Sequence, residues 1–181
     1  MTFTELELKD VILISPNVFG DERGFFMETY NKAVFSKAGL DREFVQDNHS
    51  KSSAGVLRGL HFQKNPYAQG KLVRATKGSI WDIVVDLRKN SATYKKAIKI
   101  LLDDKDKRML YVPEGFAHGF ISIEDCEVQY KCTNLYNKES EGGIRWNDPE
   151  LGIDWGIENP VVSTKDQELP YLKDIESALN F

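Results

Sequence analysis

Short apolar runs, some alternating and some continuous, recur at close spacing along this chain: "VILIS", "GFFMETY", "FVQDNHS", "GVLRGLHFQ", "KLVRATKG", "SIWDIVVDLR", "AIKILLDD", "RMLYVPEG", "HGFISI" and "EVQYKCTNLY". Most have the length of a strand and are rich in Val, Ile, Phe, Tyr and Thr, the residues that pack well on a pleated surface. Turn signals separate them at Lys77-Gly78, Asp103-Asp104 and Pro113-Glu114-Gly115. Short strands at regular spacing predict an all-β sandwich or barrel. Two segments read as helix: "NKAVFSKAGL" (31–40), with Asn31 as N-cap and a stop at Gly39, and the weakly striped C-terminal "LPYLKDIESALNF". No linker, repeat or low-complexity tract divides the chain, so residues 1–181 are expected to form one domain.

Composition narrows the partners. Hydrophobic residues make up 41% and charged residues 29%, an ordinary globular balance. The net charge of -4 and the lack of a long basic run give no reason to expect nucleic acid. A locally basic site for a phosphorylated ligand stays open. Cys126 and Cys132 form no CxxC and have no histidine cluster beside them, so neither zinc nor a disulfide framework is expected. "MTFTELELKD" has no charged-then-apolar signal pattern, and no apolar run approaches the roughly 20 residues of a membrane helix. A cytoplasmic protein without a membrane segment is expected.

The candidate chemistry begins with three histidines, His49, His61 and His118. No HxH occurs, which counts against the metal site of a metal-binding jelly roll. His118 follows the turn in "EGFAHGF" and reads as a loop-end binding residue or a surface histidine. His61 lies in the strand-like "RGLHFQ" and is either a core histidine bonded to backbone or a base with companions. Strict alternation puts Arg58 and His61 on opposite faces, and Gly59 could mark a bulge that turns both into one cavity. Lys71 follows in "QGKLVR". Tyr130 and Tyr136 share a face if their strand is continuous, either as half-buried core or as phenols facing a cleft. "PVVSTKDQ", with Ser163, Lys165 and Asp166, reads as a polar turn or helix start. In "GDERGFFMETYN", Arg23 and Glu28 bracket a phenylalanine pair. That is either a salt-linked edge strand over a core or a recognition element for a flat base. Gln46, Asn48 and Ser50 fall on one strand face, toward a ligand or toward solvent.

Together, "FGDERGFFMETYN", "FVQDNHSKSSAGVLRGLHFQ", "QGKLVRATKGSIWDIVVDLR", "YVPEGFAHGF", "YKCTNLY", "GIRWNDPELGIDW" and "VVSTKDQ" resemble the dTDP-4-dehydrorhamnose 3,5-epimerases, in the same order and from about residue 5 to about residue 172. The resemblance implies a cupin-type jelly-roll β-barrel with a few short helices, usually a homodimer exchanging N-terminal strands, with no metal or other cofactor. It implies inversion of C3 and C5 of dTDP-4-keto-6-deoxyglucose. His61 would be the base with Asp166 as its partner, and Tyr130 the acid on the opposite face. Lys71 and Arg58 would hold negative charge. Arg23, Phe26, Glu28, Gln46 and Asn48 match positions that contact the nucleotide. Tyr136, His118, Arg145 and Lys165 would be secondary contacts. Three alternatives stand beside this: an epimerase acting at C3 or C5 only on a related nucleotide-linked sugar, a silent sugar-binding jelly roll, and a metal-dependent cupin.

Overall fold

The computed structural model describes residues 1–181, and no helix in it is long and apolar enough to cross a membrane. It is all-β, as the strand spacing predicts, and takes the jelly-roll form that the family resemblance implies. One sheet runs in the order β1 (Thr2–Glu5), β2 (Ile12–Ser15), β10 (Met109–Val112), β7 (Lys71–Lys77), β12 (Cys126–Cys132), β5 (Gln46–Ser52). The second runs β13 (Glu141–Gly143), β6 (Val56–Gln63), β11 (Phe116–Ser122), β8 (Ser79–Asp86), β9 (Ala97–Asp103). Every pair on these two paths is antiparallel. A short strand, β14 (Val161–Val162), lies parallel to β6. A separate hairpin pairs β3 (Val18–Asp21) with β4 (Gly24–Met27).

The main core lies where the two sheets face each other, with Val73, Leu110 and Val128 from one and Ile80, Val84 and Phe120 from the other. The outer face of the second sheet is also covered. Leu57, Leu60, Ile83 and Val85 pack there against Trp155, Leu172 and Leu179 of the C-terminal chain. Strand β8 is therefore buried on both faces, which explains why "SIWDIVVD" is a nearly continuous apolar run rather than an alternating one. The outer face of the first sheet carries α1 (Lys32–Lys37) through Phe35, packed on Ile14, Leu72 and Met109.

Asn31 caps α1 as expected, its side chain accepting from the Ala33 and Val34 amides, and the chain leaves after Gly39 at φ +86°. The C-terminal stripe is shorter and broken: α3 covers Leu172–Ile175 and a 3-10 turn covers Glu176–Ala178. Strand β12 ends at Cys132, so Tyr130 and Tyr136 do not share one continuous strand.

Gly59 is the bulge proposed from the sequence. The register between β6 and β11 shifts between His118 and Phe120, and Gly59 sits at φ +127°. A Cβ there would lie 2.6 Å from Gly119 Cα and 3.0 Å from the His118 carbonyl oxygen. Both atoms are backbone of a central strand and cannot yield cheaply. Gly59→Ala is expected to cost about 3 kcal/mol of unfolding free energy, from clash and unfavourable φ together. Guanidinium denaturation measures it, and a loss below about 0.5 kcal/mol, within the range of a neutral surface change, would show that this crossing is not tight.

Candidate active site

Between the sheets lies a cavity of about 290 Å³ lined by Ser50, Arg58, His61, Lys71, His118, Tyr130, Lys165 and Asp166 among others. The bulge at Gly59 brings both Arg58 and His61 to it, against strict alternation. His61 Nε2 lies 2.7 Å from Asp166 Oδ1 although 105 positions separate the two residues. The parallel pairing of β14 with β6 explains the meeting. It lays Val161 and Val162 beside Val56 and Leu57, and the next turn of chain, α2 (Thr164–Gln167), then stands over His61. Ser163 caps that turn, its hydroxyl accepting from the Asp166 amide at 3.1 Å. Asp166 is 4% exposed, and its Oδ2 accepts from the Gly59 N–H at 3.2 Å. Burial alone would raise its carboxyl pKa. The hydrogen bond and charge of His61, the Gly59 N–H and the Lys165 charge outweigh that and hold it below the usual range. The aspartate is thus an anion that fixes the ring, leaving His61 Nδ1 as the nitrogen free for a substrate.

The facing wall comes from the first sheet. Tyr130 pairs with Val73, and Cys132 pairs with Lys71, so both the phenol and the ammonium project inward. Burial pushes the Lys71 ammonium pKa down, opposed by the charges of Cys132, Asp82 and Glu141. Burial raises the Tyr130 phenol, Cys132 adds to it and Arg58 opposes it. Arg58 is pinned by two bonds, Nε to Ser52 Oγ at 3.0 Å and Nη2 to the Lys51 carbonyl at 3.1 Å.

His118 corrects a sequence expectation. It is neither at a loop end nor on the surface: it sits within β11, buried, paired with His61 across the strands. Its Nε2 lies 3.0 and 2.9 Å from the two oxygens of the fully buried Asp82. A second histidine–aspartate pair therefore borders the same cavity.

Other expected residues lie outside the cavity. Arg23 pairs with Asp21 in the β3–β4 hairpin, not with Glu28, which accepts from Asn31 Nδ2. The hairpin is no edge strand over a core: Phe19, Phe25 and Phe26 are 64%, 59% and 66% exposed. Gln46 and Asn48 do share a face of β5 with Ser50, bonded to each other at 3.1 Å, but they stand beyond the His61 cavity. Gln46 Oε1 accepts from the Tyr136 amide at 2.9 Å, and Tyr136 itself is exposed. Arg145 bonds the Leu169 carbonyl and stacks over Tyr171, away from the cavity. Lys165 does reach the site, with Nζ 2.7 Å from Glu141 Oε1. Glu141 also accepts from the Tyr136 hydroxyl at 3.0 Å.

Sequence reasoning missed both Glu141 and Asp82. Nothing in "ESEGGIRW" singles out the first. The second did carry a signal, as a carboxylate in the middle of the apolar run "SIWDIVV".

Acid–base side chains drawn from both sheets into the interior of a jelly roll are the equipment of a cupin-type isomerase, and fold and cavity assign the chain to that class. Comparison with known proteins narrows the class to a family. The sequence model of the dTDP-4-dehydrorhamnose 3,5-epimerases matches residues 5–174. The dTDP-4-dehydrorhamnose 3,5-epimerase of Shigella flexneri is 52% identical over 168 residues, 92% of this chain and 93% of that protein. The crystal structure of the enzyme of that name from Elizabethkingia anophelis NUHP1 has a TM-score of 0.91 at 50% identity, covering 96% of this chain and 97% of the other. That of dTDP-6-deoxy-D-glucose-3,5-epimerase from Legionella pneumophila Philadelphia 1, in complex with dTDP-4-keto-L-rhamnose, has a TM-score of 0.93 at 38% identity, covering 98% and 95%. The chain belongs to the dTDP-4-dehydrorhamnose 3,5-epimerase family.

Proposed function

We propose that this protein inverts C3 and C5 of dTDP-4-keto-6-deoxy-D-glucose, giving dTDP-4-keto-L-rhamnose. The observation that carries the reading is the His61–Asp166 pair in one cavity with Lys71 and Tyr130. A C–H beside a ketone is weakly acidic, and its removal needs a base, a cation for the developing enolate oxygen, and an acid on the opposite face. His61 Nδ1 takes the proton, and Asp166 holds the ring and stabilises the imidazolium that forms. Lys71 offsets the charge gathering on the C4 oxygen. Tyr130 returns a proton to carbon from the other side; its phenolate then regains a proton from water and the His61 imidazolium gives up the one it took to water, which restores both groups. Arg58, His118 and Lys165 supply cationic or hydrogen-bonding contacts to the anionic substrate.

The exposed β3–β4 hairpin supports a homodimer. Arg23, Phe26 and Glu28 stand away from their own cavity on an arm with three open phenylalanines. A second copy receiving that arm would gain an aromatic face for the base and a polar rim for the ribose and phosphates. Gln46, Asn48 and Tyr136 would complete the nucleotide end, with Arg145 a contact only through the Tyr171 region. The buried free thiols of Cys126 and Cys132 fit a reducing cytoplasm.

Incubation with dTDP-4-keto-6-deoxyglucose in heavy water, followed by NMR, tests the reaction directly. Deuterium is expected at both C3 and C5 with inversion at each. Exchange at a single carbon would make the protein a mono-epimerase. Exchange at neither would remove the proposed substrate.

A further inference from the structure

The chain between β12 and β13, residues 133–140, crosses from the first sheet to the second. It runs beside the cavity, where Tyr136 meets Glu141 and Glu141 meets Lys165 of the cavity wall. Neither ladder extends over it, and no backbone–backbone hydrogen bond serves Asn134, Leu135 or Tyr136. Backbone groups need partners, and a surface loop ordinarily finds them in water. In this loop side-chain amides take the place of a ladder. Gln69 Nε2 donates to the Asn134 carbonyl at 2.6 Å, and Gln46 Oε1 accepts from the Tyr136 N–H at 2.9 Å. Gln63 makes two bonds to the loop. Its Nε2 donates to the Leu135 carbonyl at 3.2 Å, and its Oε1 accepts from the Asn137 N–H at 2.7 Å.

One amide thus binds the carbonyl before Tyr136 and the N–H after it. Gln63 is 5% exposed, and its Nε2 also donates to the Tyr67 carbonyl at 2.6 Å, so the clamp itself is fixed. It lies on β6 two residues past His61 and on the same face, yet does not line the His61 cavity. Tyr136 is therefore tied to three strands: its amide to Gln46 of β5, its hydroxyl to Glu141 of β13, and its flanking backbone to Gln63 of β6. The residue is nonetheless 55% exposed. A ring held in place but left open loses little freedom when a ligand arrives, which favours binding.

We propose that Gln63 is a positioning residue for nucleotide binding: it fixes the Leu135–Asn137 backbone so that the Tyr136 ring meets the nucleotide already ordered. This rests on the nucleotide-sugar reading above, which puts Tyr136 at the nucleotide end, and adds to it the side chain that sets the loop. All three bonds of the Gln63 amide go to backbone groups. Its effect therefore falls on affinity and not on proton transfer.

The test is a double-variant cycle on the full chain: wild type, Gln63→Met, Tyr136→Ala and the two together. Each is titrated calorimetrically with dTDP and assayed for KM and kcat. Methionine keeps the length of the side chain without the amide. Gln63→Met is expected to raise the dTDP Kd and KM about tenfold, the scale of one net hydrogen bond, with kcat within about threefold of wild type on the same scale. Tyr136→Ala is expected to raise the Kd at least as much. In the Tyr136→Ala background, Gln63→Met is expected to add less than about twofold, because the ring it positions is gone. If circular dichroism shows that Gln63→Met does not fold, Gln63→Glu takes its place in the cycle with the same expectations. It keeps the acceptor for the Asn137 N–H but, ionised, cannot donate to Leu135. An unchanged dTDP Kd in the Gln63 variant would overturn the proposal. An equal rise with and without the Tyr136 ring would reveal a general loosening of the rim and overturn it too. A fall in kcat with KM unchanged would move Gln63 to the chemistry and do the same. A wild type that fails to bind dTDP, or a Tyr136→Ala variant that binds it as wild type does, would instead bring down the nucleotide reading of that end of the site, and this proposal with it.

Discussion

His61→Asn is expected to lower kcat by about 10³-fold while leaving the fold and dTDP binding in place. Asparagine keeps a polar amide in the cavity but cannot accept a proton from carbon, and general-base catalysis is commonly worth about 10²–10⁴ in rate. Asp166→Asn is expected to cost less, about 10–10² by the same scale, because the imidazole remains. What it loses is the anion that holds the ring and stabilises the charged product of proton transfer. Asparagine also places an amide against either His61 Nε2 or the Gly59 N–H, which now share the two carboxylate oxygens at 2.7 and 3.2 Å. The double variant should be no worse than His61→Asn alone, since residues acting as one unit lose their effect together. Single-turnover kinetics, with circular dichroism and dTDP titration as controls, measures all three. A His61→Asn enzyme retaining more than a tenth of kcat would move the base elsewhere in the cavity. His118 is the other candidate there, already paired with its own aspartate.

The reach and the limits of the sequence follow from locality. Strands β6 to β12 were legible because each carries its own apolar pattern bounded by its own turn residues. Gly59 was legible for the same reason: a glycine between two charge-capable residues in a strand is a local sign of a bulge. His118 was misplaced because Gly115 announces a turn, yet the strand resumes immediately at Phe116, and burial of a histidine depends on what Asp82 does across the sheet. Tyr136 was misplaced because β12 ends at Cys132 with no breaker in "YKCTNLY" to mark it. The meeting of His61 with Asp166 is non-local, made by the two-residue strand β14, and the residues reached it only through the family resemblance. Arg23, Phe26 and Glu28 form the other extreme. Their hairpin is local and regular, but its phenylalanines are exposed, so no contact within the chain shows what they bind.

Lys71 carries the second large effect. Lys71→Met is expected to lower kcat by about 10²–10³-fold, the usual loss when a preorganised charge facing a developing oxyanion is removed. The ligand-free Tm should hold or rise, because a buried ammonium costs stability that an apolar side chain of similar length does not. Activity and stability moving in opposite directions would mark the charge as kept for function. The pH profile sharpens the point. Burial disfavours the charged ammonium, so in the free enzyme Lys71 loses its proton at lower pH than an ordinary lysine, despite the opposing charges of Cys132, Asp82 and Glu141. The neutral amine cannot offset an enolate, so kcat/KM should fall on an alkaline limb below the ordinary lysine value of about 10.4. Tyr130 shifts the other way, since burial moves its phenol up from the ordinary tyrosine value. In the complex the substrate's own negative charge favours the ammonium, so the limb in kcat should lie above the limb in kcat/KM. Lys71→Arg, whose guanidinium stays charged, should remove the limb from the accessible range even where it lowers the rate. An alkaline limb that stays in place in Lys71→Arg would assign it to another group and leave Lys71 as a binding charge alone.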